Sequence, residues 1–356
     1  MEQKRKPASR FRRSAGVLLT VLISALFAFA AADTMIDEAH FPDAAFRAYV
    51  TEFHDRNKNG ILEPNETENV IQMDVTDRGI SSLQGIEHFE QLTWLNCARN
   101  QLTGLDLSRN TALKRLSCSF NQLTDLKVSA CIALESLDCS NNQLTSLELP
   151  AGRTLEKLEC SWNRLEELDI SRCEGLKTLS CGTNCLTFLD VSRNAAMEDL
   201  NCMSNSLTAL EVGKNPALTR LWCSGNLLDA LDVSRNTALK ELNCGENQLR
   251  ELNVKNNPAM QILMCEGNRL KQLDVDNNPE LASLNCSRND ITQLDVSSCE
   301  RLCYYMRLYN RTTDYYTGKS GKVWFSCWTF QQEDLTVDPG VLVIAGEIIS
   351  EGVSVD

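Results

Sequence analysis

Leu95-Asn-Cys97-Ala-Arg-Asn100-Gln-Leu102-Thr-Gly-Leu105-Asp-Leu107-Ser-Arg-Asn110 returns 21 residues later as Leu116-Ser-Cys118-Ser-Phe-Asn121-Gln-Leu123-Thr-Asp-Leu126-Lys-Val128. The phase then holds without a slip to Leu284-Asn-Cys286-Ser-Arg-Asn289. Ten units share the frame L-x-x-L-x-C-x-x-N-x-L-x-x-L-x-V-S-x-N-x-x, and ten of the sixteen cysteines fall at its single Cys position. A fixed period of this length is the signature of a solenoid, in which each unit is one coil. Leu-x-Cys alternates like a short strand with one inward face. The Asn turns the chain and bonds freed backbone groups with its amide. Parallel strands stack at roughly 4.8 Å, so ten coils span on the order of 45–50 Å. One coil cannot bury its own leucines; stacking makes the core continuous. Alternation in the second half of each unit, as in Leu231-Asp-Val233, predicts a shorter extended segment on the opposite flank.

Sixteen cysteines in an exported chain first suggest a disulfide framework. The spacing argues against it. Side chains stacked at strand separation stand wider than the roughly 3.8 Å between Cβ atoms that a disulfide prefers. A straight column also fails to converge on a tetrahedral zinc site. Buried, reduced thiols are the expectation, since Cys behaves as a small apolar residue.

The unit resembles the 21-residue, cysteine-ladder leucine-rich repeats of bacterial surface proteins of the internalin type, over residues 85–299. That resemblance implies extracellular adhesion or binding to a host surface and leaves the ligand unnamed. The expected fold is a leucine-rich-repeat solenoid, mainly β, with a parallel sheet of ten coils, a helical N-terminal cap and a β-rich C-terminal cap. The boundaries read as a signal peptide over 1–32, the N-terminal cap over 36–90, the repeats over 91–299 and the C-terminal cap over 300–356.

The signal peptide rests on Lys4, Arg5, Lys6, Arg10, Arg12 and Arg13 before the apolar run Ala15 to Phe29, with Ala28, Ala30, Ala31 and Ala32 as small-residue cleavage positions. The alternative is a retained anchor, for which the run is short. No later stretch is long and apolar enough to span a membrane, so a soluble mature chain is expected, secreted or associated with the cell surface, and it is read as a monomer. An L-P-x-T-G-like sorting signal is missing, unlike sortase-anchored relatives of the family it resembles. The balance of 35 basic against 48 acidic residues gives a net charge of −13 and argues against a nucleic-acid partner, which needs a clustered basic face.

Within the N-terminal cap, Phe41, Ala45, Phe46 and Tyr49 fall at helical spacing. Asp55-Arg-Asn57-Lys-Asn59-Gly60-Ile61-Leu-Glu63-Pro-Asn-Glu66 fits the calcium-loop pattern D-x-[DN]-x-[DN]-G-x5-E. Asp55, Asn57, Asn59, the Ile61 carbonyl, Glu63 and bidentate Glu66 would supply oxygen ligands, with Gly60 at the sharp turn. The alternative is a helix–loop–helix cap without metal. Past residue 300, aromatic residues from Tyr304 to Phe330 concentrate, Val341 to Ile344 reads as a strand, and Cys303 and Cys327 are either a pair or two free thiols.

The residues flanking the inward Leu of each strand face solvent on the expected concave side, and they vary while the framework is constant. Trp94, Arg115, Arg220, Trp222, Ile262 and Met264 lie there, and Phe120 and Trp162 stand two residues past their cysteines. Exposed aromatic, Met and Arg side chains are what interfaces enrich, although scattered surface apolar residues are ordinary. These eight are the candidate ligand-binding residues. On the other flank Asp106, Glu148, Asp169, Asp190, Glu211, Asp232, Asp274 and Asp295 form an acidic column, read as a solvated face or as bonds at the bend.

An enzyme is not expected. His40, His54 and His88 all lie in the N-terminal cap, so the repeats hold no histidine base. Neighbouring Asp138 and Glu159 are a carboxylate pair, but an open sheet face excludes little water. The expected function is adhesin-like binding of a protein or glycan on a host or cell surface. The alternative is a cell-envelope structural or glycan-binding module.

Overall fold

The computed structural model describes residues 33–299, residues 301–302, and strands at Tyr315–Thr317, Lys322–Ser326, Gln331–Gln332, Leu335–Thr336 and Leu342–Glu347. The signal segment, Cys303 and Cys327 lie outside the described residues.

Ten three-residue strands, from Trp94–Asn96 to Ser283–Asn285, pair in parallel, one per coil. Their register repeats the sequence period: Leu95 faces Leu116, Leu179 faces Leu200, and Leu263 faces Leu284. Gln72–Asp74 extends the sheet at the N-terminal side by pairing with Trp94–Asn96. At the far end Leu335–Thr336 pairs in parallel beside Ser283–Asn285, followed by antiparallel Gln331–Gln332. The middle residue of each strand and the Cys two positions on point inward, and both columns are buried along the whole stack.

The framework asparagines hold one coil to the next. Asn100 in the first coil bonds Val75, Cys97 and Ile80; from Asn121 to Asn289 the amide nitrogen donates to the carbonyl of its own coil's cysteine and to that of the preceding coil's cysteine. The amide oxygen accepts the N–H of a leucine in the preceding coil. For Asn226 these bonds are 3.0 Å to Cys223, 3.0 Å to Cys202 and 3.0 Å from Leu207. Three backbone groups that a buried turn would otherwise orphan are thereby satisfied. The residue before each framework Asn sits in the left-handed region, even where it is bulky, as at Phe120 (φ 55°) and Trp162 (φ 59°).

A second polar column runs along the other flank. Asn110, Asn194, Asn215, Asn236, Asn257 and Asn278 are fully buried. Each donates to two carbonyls of preceding turns, as Asn236 does to Val212 and Asn215. Cys131, Cys173 and Cys299 replace Asn at the same phase, with their thiols directed at carbonyls. The expected extended segment on this flank forms only locally. Gly104–Asp106 pairs with Asp125–Lys127, and Gln293–Asp295 with Leu342–Glu347. In the middle coils the corresponding leucines, such as Leu189 and Leu210, are buried without ladder strands.

The first helix, Ala44–Phe53, is capped by Asp43, whose carboxylate accepts the Phe46 N–H at 2.9 Å. The same carboxylate accepts the Ser81 N–H and hydroxyl, tying the cap to the first turn of the stack. Phe41, Phe46 and Val50 close the core. Beyond the repeats, Gln293–Asp295, Leu342–Glu347, Lys322–Ser326 and Tyr315–Thr317 form a four-stranded sheet.

Candidate functional site

Strand alternation places every second side chain of the parallel sheet on its solvent face. Trp94 and Arg115 are directly paired neighbours at the N-terminal end of that face. Arg220, Trp222, Ile262 and Met264 form a separate group across three strands. Asn243 separates Trp222 from Met264, and Glu241 separates Arg220 from Ile262. Trp222 is 37% exposed, Ile262 and Met264 are half-buried, and Arg220 is paired with Asp199. Phe120 and Trp162 are on neither group but on the turn after the strand, both exposed, with Asn141 in the coil between them. The Arg99 guanidinium stacks over the Phe120 ring at 4.8 Å. The eight candidate residues thus occupy three places.

Asp138 and Glu159 are partners across neighbouring strands. Asp138 accepts the Ser140 hydroxyl at 2.6 Å, and Lys157 pairs with Glu159 at 2.7 Å. Both acids are therefore engaged by neighbours of their own face.

In the acidic column, the carboxylates of Asp106, Asp169, Asp190, Asp232 and Asp295 accept the N–H of the serine two residues on. The Ser108 hydroxyl and N–H, with Lys127 beyond, hold the Asp106 carboxyl down at about 2. This is the bond at the bend in these five coils.

In the cap loop, Asp55 and Glu66 are each only 2% exposed. Asp55 accepts the N–H groups of Asn59 and Gly60, and Glu66 those of Arg56 and Glu63. Asn57 and Asn59 both donate to Glu63. Gly60 has φ 77°, and Ile61 pairs with Met35 in a short antiparallel ladder. The six ligand positions thus crowd one loop whose donors are all oxygens. Among the described residues, no three acidic, His or Cys side chains are gathered as a metal-holding group.

The ladder thiols are in a different situation. Of the fourteen described cysteines, only Cys185 is exposed. Burial pushes the thiols of Cys97, Cys202 and Cys244 up to about 12. Protonated thiols in a dry column are packing and not nucleophiles.

Sequence reasoning missed the second Asn column and the exposed Phe188, at 69%. The first was visible as the last Asn of the repeat frame. The second stands at a phase that is exposed in every coil and is filled by an aromatic residue only here.

A parallel strand per 21-residue coil, a buried Leu and Cys column and an Asn staple define a leucine-rich-repeat solenoid. A family model described as leucine-rich repeats (2 copies) matches residues 111–152. The functional domain of InlJ from Listeria monocytogenes, whose structure includes a cysteine ladder, is 30% identical over 77% of this chain and 70% of that one, with a TM-score of 0.51. The chain belongs to these internalin-like, cysteine-ladder leucine-rich-repeat proteins. The internalin InlF of the same organism is 21% identical over 77% and 89% of the two chains, with a TM-score of 0.58. The Drosophila Toll–Spätzle complex aligns at 18% identity over 67% and 37%, with a TM-score of 0.55. These two share the fold. No curated protein matches the chain. Among the described residues no helix is long and apolar enough to cross a membrane.

Proposed function

We propose that this is a secreted or surface-associated, monomeric binding module that engages a protein on a host or cell surface through the concave, solvent-facing side of its parallel sheet. The supporting observation is the group formed by Trp222, Met264, Ile262 and Arg220, apolar side chains beside a cation on a sheet face whose other residues, Trp94 apart, are polar. Such aromatic and Arg anchors carry most of the energy in protein interfaces. Membership of an interaction-module family and the Toll–Spätzle complex, a protein bound to the same fold, point the same way. The role requires no catalysis. Labelled mature chain is expected to bind host cells, and the double variant Trp222→Ala, Met264→Ala to lose at least about tenfold in affinity. Undiminished binding by that variant would sink the assignment of the face. Recovery from culture supernatant supports secretion; retention in the wall fraction supports an envelope role.

A second reading, a glycan-binding envelope module, draws on Phe120 and Trp162. These are exposed aromatic rings held by left-handed backbone, a conformation that costs a bulky residue energy. A glycan array run with Trp162→Ala beside wild type separates it from the first.

For the cap loop we propose structural calcium, held by Asp55, Asn57, Asn59, the Ile61 carbonyl, Glu63 and Glu66. The all-oxygen donor set and the burial of two carboxylates favour it. With only three anionic ligands, affinity should be modest. Calorimetry with calcium should give a binding isotherm for wild type and none for Glu66→Gln. Absence of heat with wild type ends the proposal.

A further inference from the structure

The coil that contains Asn142 breaks the frame: Leu147-Glu-Leu-Pro150-Ala-Gly152-Arg153 stands where other coils carry L-x-V-S-x-N. Pro150 has no N–H to give to the bend acid, and Gly152, at φ 138°, replaces the buried Asn or Cys. The Arg153 backbone lies close over Gly175 of the next coil. A Cβ at Gly175 would lie 2.0 Å from the Arg153 oxygen. In this coil Leu147 and Leu149, whose counterparts are buried in the other coils, are only partly buried. They open into a groove of about 780 Å³ on the flank away from the parallel sheet.

Two further features mark this groove. Phe188, two coils on, stands at its rim with most of its ring in water. Glu148, Glu166, Glu167, Asp169 and Asp190 surround it, against Arg172 in the lining and Arg193 near Asp190. Elsewhere on this flank Lys127 neutralises Asp106 and Lys255 neutralises Asp274. Among the described residues none of the five groove acids makes such an ion pair. The serine bonds at the bend hold Asp169 and Asp190 below the ordinary carboxylate range, so both stay ionised.

We propose that this groove is a docking site for a cationic peptide segment that carries a large apolar side chain between lysine or arginine residues. The apolar side chain covers Leu147 and Leu149 against Phe188, and the flanking cations face the ring of carboxylates. Charge complementarity selects the occupant. A second copy of this chain, itself at −13, would bring more negative charge to an acidic rim. The site is separate from the sheet face assigned above.

The test is fluorescence anisotropy with a labelled nonapeptide, Gly-Lys-Lys-Leu-Phe-Leu-Lys-Lys-Gly. Companion peptides replace its lysines by Glu, or its apolar residues by Ser. The parent should bind, both companions should not, and binding should weaken with added salt. Phe188→Ala and the double variant Glu148→Gln, Glu167→Gln should each lose about tenfold, while Trp222→Ala keeps full affinity. Circular dichroism checks that each variant is folded. The two variants act on different contacts, so misfolding of one leaves the other and the peptide series decisive. No binding of the parent peptide, equal binding of the Glu peptide, or indifference to both groove variants overturns the proposal. Phe188-dependent self-association in sedimentation would assign the groove to a second copy instead.

Discussion

At the scale of single residues, the framework asparagine has the most to lose. Asn226 serves two carbonyls and one N–H, all buried between coils. Asn226→Ala should therefore cost about 3 kcal/mol or more, since each orphaned buried group costs on the order of 1–3 kcal/mol. Asn226→Asp loses both donors and would bury a carboxylate against two carbonyl oxygens, so it should be less stable than the Ala variant at neutral pH. Urea unfolding of the three proteins reads the order, and an Ala variant within error of wild type would refute the staple. This residue was legible from spacing, because an invariant phase across ten units forces one environment on every copy. Phe188 was not legible. Its position is exposed in every coil, so exposure alone marks nothing; the partly uncovered Leu147 and Leu149 beside it lie two coils away, and the sequence alone gives no distance between them.

The element scale is the coil and its contact with the next. Alternation correctly marked Leu231 and Val233 as inward, but it says nothing about whether adjacent backbones reach bonding distance. That is why the second flank is a ladder at Gly104–Asp106 and Asp125–Lys127 yet buried without strands in the middle coils. The irregular coil gives a sharp contrast between two glycines. Gly175 lies under the Arg153 carbonyl, whereas a Cβ at Gly213 would make only an ordinary contact, 3.5 Å from a flexible Arg235 carbon. Gly175→Ala should destabilise by roughly 1–3 kcal/mol, the usual range for overpacking, and Gly213→Ala should be near neutral. Thermal unfolding of the pair checks this. Equal melting points would mean that the Arg153 backbone yields freely.

Across the whole molecule, the thiol column couples stability to pH. Cys97, Cys202 and Cys244 ionise at about 12 in the folded chain, against 9.0 for an ordinary thiol. Between pH 9 and 12 the unfolded chain therefore holds fewer protons than the folded one. Stability contributed by these groups is intact below pH 9 and is lost as pH rises through that window. The urea midpoint should fall more steeply above pH 9 for wild type than for a variant with Cys202→Ala and Cys244→Ala. Parallel slopes would show that the column is hydrated. The fold class and the dry thiols could be read from periodicity because both are properties of a repeat. The three separate locations of the candidate binding residues could not, since Phe120 and Trp162 leave the sheet through a left-handed turn.

A stack built from identical steps carries no internal signal to stop. Gln72–Asp74 and Gln331–Gln332 are the margins of one continuous 13-stranded sheet, and a bare margin of that kind is a template for the next chain. The terminal segments are thus what separates a countable molecule from an open-ended fibre. Coils can be gained or lost in whole units of 21 between them without creating a new kind of junction, so its reach is set by where those ends are placed.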